Sequence, residues 1–226
     1  MTALPAGRPP RHHPTNRTTT FLPWNTARFL VAALETEGQH NVALMVATQM
    51  YFGLRIGDVL KLTWGEVRQA SFTVHEGKTG KPRTITVHPE FTAVRDRYLA
   101  TFYPDHQPAD HQPIFTGTRG PRTGSPISVT AANNRFSSAL KRHGITTANA
   151  STHTLRKTFA RRVWESSGEN EAALVLLSDI LNHPSIAITR RYLGITGEEI
   201  SAAYLSLSPY TRPPNSPPSP GSRPTN

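Results

Sequence analysis

The stretch STHTLRKTFARR at residues 151–162 sets Leu155 and Phe159 four apart, and Val163 continues the row. Four-residue apolar spacing of this kind is one stripe of an α-helix. Ser151 or Thr152 supplies the N-cap. His153 and Arg156 stand three apart, hence on one face of the first turn, where unpaired backbone N–H groups already attract anions. A phosphate there would meet an imidazole, a guanidinium fork and the positive end of the helix dipole together. Taken alone, such a pair is most often a capping histidine beside a solvated arginine.

Outward from this helix the same period recurs over Asn25–Glu37, His40–Phe52, Pro89–Tyr103 and Ser128–His143, the last stopped by Gly144. It returns in Leu174–Leu181, stopped by Asn182-His183-Pro184, in Ser185–Leu193, stopped by Gly194, and in Glu198–Leu207 after Gly197. Alternating Phe72, Val74 and Ile85, Val87 flank GKTGKP (77–82), the pattern of a hairpin with a glycine-containing turn. The expected fold is mainly α with one small antiparallel β-sheet, an α+β class. The tandem DHQPADHQP at 105–113 reads as a polar loop.

A chain of 226 residues can bury a core without metals or disulfides. Zero cysteines exclude a disulfide framework, thiolate nucleophiles and Cys-ligated zinc or iron–sulfur clusters, and fit a reducing compartment. No apolar run is long enough to span a bilayer, and residues 1–20 lack the apolar stretch of a signal peptide, so a soluble, cytoplasmic, nucleoid-associated protein with no membrane partner is expected. Lys plus Arg number 25 against 15 Asp plus Glu, a net +10 that points to a polyanionic partner. Residues 1–20 and 208–226 are rich in Pro and contain five of the arginines. Between them, 20 basic and 15 acidic side chains remain, so the bias belongs to the folded part as well. The expected organisation is a disordered basic arm (1–23), a folded domain (24–207) and a disordered Pro-rich tail (208–226).

Three further segments carry reactive side chains. GLRIGDVLKLTW (53–64) places Arg55 after a buried helix and Gly53, with Asp58 three residues on as the carboxylate expected to orient it. The hairpin tip offers Lys78, with Lys81 as the competing ammonium. LNHPSIAITRRYLG (181–194) puts His183 at a helix junction and Tyr192 nine residues later. Asp105, His106, Asp110 and His111 could ligate zinc, but a Pro-interrupted loop seldom holds tetrahedral geometry.

The order GLRIGD, GKTGK, HTLRKTFA, LNHPSIAITRRY resembles the catalytic domain of the tyrosine recombinases, the phage-integrase family, from about Trp24 to Leu207; PIFTGTRGPRTGSPIS (113–128) is similar to its usual connector. The resemblance implies six catalytic residues: Arg55, Lys78, His153, Arg156, His183 and Tyr192. Asn182 stands where the family commonly has Gly. Tyr192 would attack a DNA phosphate and hold it as a 3′-phosphotyrosine, with no cofactor and no metal. Arg55, Arg156 and His183 would stabilise the phosphorane oxygens, His153 would act as acid/base, and Lys78 would protonate the 5′-oxygen.

The implied activity is site-specific recombination of double-stranded DNA, as integrase, resolvase or invertase. A homo-oligomer on DNA, dimer to tetramer in the synapse, and accessory DNA-bending proteins come with the resemblance. The alternatives are a type IB topoisomerase-like relaxing enzyme and a DNA-binding relative without catalysis. Only residues 1–23 precede the first helix, so a catalytic-domain-only plan similar to the small fimbrial invertases is expected. The arm either tracks phosphates or is a solvated tail. Segment 198–207 docks on a neighbouring protomer through Ile200, Tyr204 and Leu205, or packs in cis.

Overall fold

The computed structural model describes residues 20–117 and 123–195. In chain order the elements are α1 (Trp24–Thr36), α2 (His40–Phe52), α3 (Ile56–Val59), α4 (Trp64–Arg68), β1 (Ser71–His75), β2 (Pro82–Thr86), α5 (Pro89–Phe102), α6 (Val129–Arg142), α7 (Thr152–Ser166), α8 (Glu171–Ile180) and α9 (Ile186–Leu193). This is the α+β class expected, with the helices within a residue or two of their sequence-read bounds. α8 is the exception: it starts three residues earlier because the Asn170 side chain accepts from Ala173 N at 3.0 Å and caps it.

α2 is buried from Val42 to Met50 without a break. A helix that is apolar all round has to be covered on all sides, and α1, α5, α6 and α7 cover it. It ends at Gly53, whose φ of 58° is left-handed. A side chain at residue 53 would place Cβ 2.2 Å from Phe159 Cδ1, so glycine is required there both for backbone conformation and for space. The chain turning out of α2 therefore delivers Arg55 against α7.

β1 and β2 pair antiparallel, Phe72 opposite Ile85 and Val74 opposite Arg83. Phe72, Val74, Ile85 and Arg83 face inward, and Glu76, next in the alternation, is also buried. Val87, read as part of the second strand, lies just beyond its end at Thr86. Two apolar clusters result. The larger gathers α1, α2, α5, α6 and the hairpin; the smaller joins Ala160 and Trp164 of α7 to Leu174 and Leu177 of α8 and to Leu193 of α9. α7 contributes to both, Leu155 to the first and Ala160 to the second.

The domain begins slightly earlier than the sequence suggested. Leu22, placed within the basic arm, is only 2% exposed; its N–H donates to Thr158 Oγ1 at 2.9 Å and its carbonyl accepts from the same hydroxyl at 3.2 Å. Residues 1–19 of the arm, the tail and the segment 198–207 lie outside the described residues. Loop 105–113 is tied down by Arg68, which donates to Asp110 Oδ1 at 2.5 Å and to the Pro108 carbonyl at 2.8 Å. Among the described residues, no three His, Asp or Glu side chains stand close enough to hold a metal ion. No described helix is long and apolar enough to cross a membrane.

Candidate active site

Arg156 rises from the first turn of α7 yet is only 1% exposed. Its Nη1 donates to the Gly53 carbonyl at 2.8 Å and its Nη2 to the Leu181 carbonyl at 3.0 Å, so one guanidinium joins the end of α2 to the end of α8. Buried arginine persists only when its donors are met and its charge is balanced. The balance comes from Glu76, fully buried at the base of the hairpin turn: Arg156 Nη1 lies 3.7 Å from Glu76 Oε1. Arg55 is ion-paired with the other oxygen, Oε2, and Arg83 Nη1 lies 3.4 Å from Oε1.

This corrects the expected partnership of Arg55 with Asp58. Asp58 Oδ1 instead accepts the Gly77 N–H at 2.9 Å and fixes the hairpin turn, while Glu76, twenty-one residues away in sequence, holds Arg55. Burial alone would raise the Glu76 carboxyl, but Arg156, then Arg55 and Arg83, more than offset it and keep the group below the usual carboxylate range. Arg83 is pushed down to about 10, by burial first and then by the Arg156 charge.

Tyr192 sits in the last turn of α9 with its ring enclosed on several sides. The His153 and His183 rings meet it edge-on, centroids 5.4 and 5.2 Å away, and Lys157 Nζ stands 5.2 Å over its face. Its hydroxyl is buried and makes no hydrogen bond of strict geometry, but the Arg156 guanidinium lies near enough to act on it. Burial pushes the phenol up to about 12, against the pull of the nearby Arg156 and Arg55 charges. His183 is fixed by a 3.0 Å contact between Nδ1 and Thr189 Oγ1. Asn182, before it, has a φ of 51°. Asparagine tolerates this left-handed conformation, so the turn survives without the usual glycine.

Both imidazoles are driven down to about 4. For each, loss of solvation comes first and the Arg156 charge second; His153 also feels Lys157, Arg55 and Lys78. Lys78 exerts this influence from the exposed hairpin tip. Arg55, His153 and Arg156 line a pocket of about 230 Å³ together with Gln49, Leu54 and Asn133. A larger groove of about 660 Å³, beside Trp24, Tyr51 and Phe159, contains none of the six residues.

The structure thus brings Arg55, His153, Arg156, His183 and Tyr192 into one neighbourhood, with Lys78 acting on it from the hairpin tip, and adds three residues that spacing did not single out: Glu76, Arg83 and Lys157. Glu76 and Arg83 were marked by the hairpin's own alternation, since each puts a charge at an inward-facing position.

Two guanidiniums and one imidazole line this small cavity, and a second imidazole and a phenol pack beside them; a phosphate ester attacked by tyrosine would need such a set of groups. The phage integrase family model matches residues 21–199, and the chain belongs to that family. Among curated proteins it is similar to the tyrosine recombinase XerC of Rickettsia bellii, 29% identical over 160 residues covering 70% of this chain and 48% of that protein. The XerC of Xylella fastidiosa is 28% identical over 161 residues, covering 71% and 50%. The chain spans about half the length of these curated relatives. Among solved structures, XerA recombinase matches 90% of this chain and 68% of that chain with a TM-score of 0.64 at 20% identity. A lambda integrase dimer bound to a COC′ core site matches 77% and 47%, TM-score 0.58 at 19% identity. At such identities the likeness establishes the fold.

Proposed function

We propose that this chain cleaves and rejoins double-stranded DNA at specific sites through a 3′-phosphotyrosine, as a site-specific recombinase. The observation that carries the reading is the enclosure of the Tyr192 phenol by His153 and His183 beside the Arg55–Glu76–Arg156 cluster. With the phosphate over Arg55 and Arg156, the phenol oxygen bonds to phosphorus as the bond to O5′ breaks. His153, neutral at pH 7, takes the phenolic proton, and Lys78 gives one to O5′. The two guanidiniums and the free nitrogen of His183 meet the non-bridging oxygens, the charge that other phosphoryl-transfer sites balance with metal ions. A 5′-hydroxyl from another strand reverses the attack and needs no ATP, because the phosphodiester energy is kept in the tyrosyl ester.

The net +10 supports a DNA partner. The bound lambda integrase dimer supports action as a dimer or higher oligomer on DNA; accessory bending proteins are the further partners of this reading. Residues 22–207 form the catalytic domain, flanked by the basic arm and the Pro-rich tail, in the cytoplasm on the nucleoid. The test is to incubate the protein with fragmented host DNA, trap the covalent adduct, precipitate it and sequence the attached strand. One recurrent sequence is expected, lost with Tyr192→Phe. Relaxation of any supercoiled plasmid without a preferred sequence would replace this reading by a topoisomerase, and no adduct on any DNA would remove catalysis.

A further inference from the structure

We propose that Glu76 is a positioning residue, whose buried carboxylate fixes the Arg55 and Arg156 guanidiniums relative to each other so that both reach one phosphate. The inference rests on the functional reading above. Each oxygen of Glu76 has its own partner: Oε2 holds Arg55, and Oε1 lies 3.7 Å from Arg156 Nη1 and 3.4 Å from Arg83 Nη1. Arg156 is further locked by two carbonyls, whereas Glu76 is the one hydrogen-bond partner found for the Arg55 guanidinium among the described residues. Arg55, 22% exposed at its side chain, is therefore the member whose aim depends on the carboxylate.

Arg83 completes the arrangement from below. Its Nη2 donates to the Phe52 carbonyl at 2.5 Å and its Nη1 to the Gly53 carbonyl at 3.2 Å, the acceptor that Arg156 also uses. One carboxylate thus stands against three guanidiniums. Removing it alone would leave three clustered cations, two of them buried, facing one another, an electrostatic cost that unfolds the site whatever its role. Removing Glu76 and Arg83 together keeps the net charge of the cluster while taking away the anchor of Arg55.

The experiment compares the parent, Glu76→Asp and the double variant Glu76→Gln/Arg83→Gln. Single-turnover cleavage is measured on a nicked duplex carrying the sequence recovered from the parent's adduct. At saturating DNA, both variants are expected to cleave at least tenfold more slowly, while the DNA concentration for half-saturation moves less than threefold and thermal midpoints stay near the parent's. Parental cleavage by either folded variant overturns the proposal, and so does a loss confined to DNA affinity. If the double variant does not fold, Glu76→Asp, which keeps the charge, decides alone.

A second readout needs no DNA. In protein labelled with ¹⁵N-arginine, the Arg55 Nη signals, assigned by their loss in Arg55→Lys, should be separate in the parent and averaged in the variants. Averaged signals already in the parent overturn the proposal. If the parent forms no adduct, the functional reading fails while the arginine spectra still decide what Glu76 does.

Discussion

Tyr192→Phe separates chemistry from stability in one substitution, and the two effects have opposite sign. The Tyr192 hydroxyl is buried and, among the described residues, makes no hydrogen bond of strict geometry, with the Arg156 guanidinium pulling on it from a looser position. Leaving a buried polar group unsatisfied costs about 1–3 kcal/mol relative to an apolar group of the same shape. Phenylalanine preserves the edge contacts with His153 and His183 and the Lys157 ammonium over the ring face, so little packing is lost. The variant is therefore expected to gain about 1 kcal/mol, the low end of that range, because the Arg156 charge attracts the phenol dipole. For a chain of this size that raises the thermal midpoint by about 2–4 °C.

Scanning calorimetry of parent and variant in the same buffer, with urea unfolding as a second measure, reads the difference. Adduct formation on nicked DNA should fall to background while DNA binding is unchanged. A variant less stable than the parent would show that the hydroxyl has a partner in the free protein, and the enclosed-phenol description would be wrong. An adduct formed by the variant would remove Tyr192 as nucleophile.

Gly53→Ala meets Phe159 and must hold a left-handed backbone; overpacking and conformational cost together come to about 2–5 kcal/mol, measurable by urea unfolding. The two depressed imidazoles give a pH dependence of definite sign. A histidine whose folded value lies near 4, below its ordinary 6.5, binds its proton less readily when folded. Its contribution to stability is thus complete above pH 6.5 and is lost as the pH falls towards 4. Unfolding free energies across that window should fall with acid, less steeply in His183→Gln. Lys78→Ala should slow strand cleavage by about 10²–10⁴-fold, the range for a lost general acid, while Lys81→Ala changes it little; the reverse order in a cleavage assay would reassign the proton donor.

Much of this molecule could be read locally. α2 could be bounded from its apolar residues and Gly53, and four short motifs in order led to Arg55, His153, Arg156, His183 and Tyr192, which the fold sets close together. What was illegible is what local spacing does not encode. Arg55 and Asp58 looked like partners because they are one turn apart, but pairing across the fold gave Arg55 to Glu76 and Asp58 to the hairpin turn. α3 and α4 run four and five residues, too short for a 3.6-residue period to register. Leu22 sat in a stretch whose composition spoke for disorder, and only its bonds to Thr158 show that the core extends to it.

The Gly53 carbonyl, which accepts from both Arg156 and Arg83, has a consequence for how such a chain can drift in length. Two guanidiniums that hang from one peptide oxygen keep their separation however much polypeptide runs between them. A change of loop length that leaves this carbonyl in place therefore leaves the spacing of the two guanidiniums intact, whereas a single residue added between Phe52 and Arg55 would shift it.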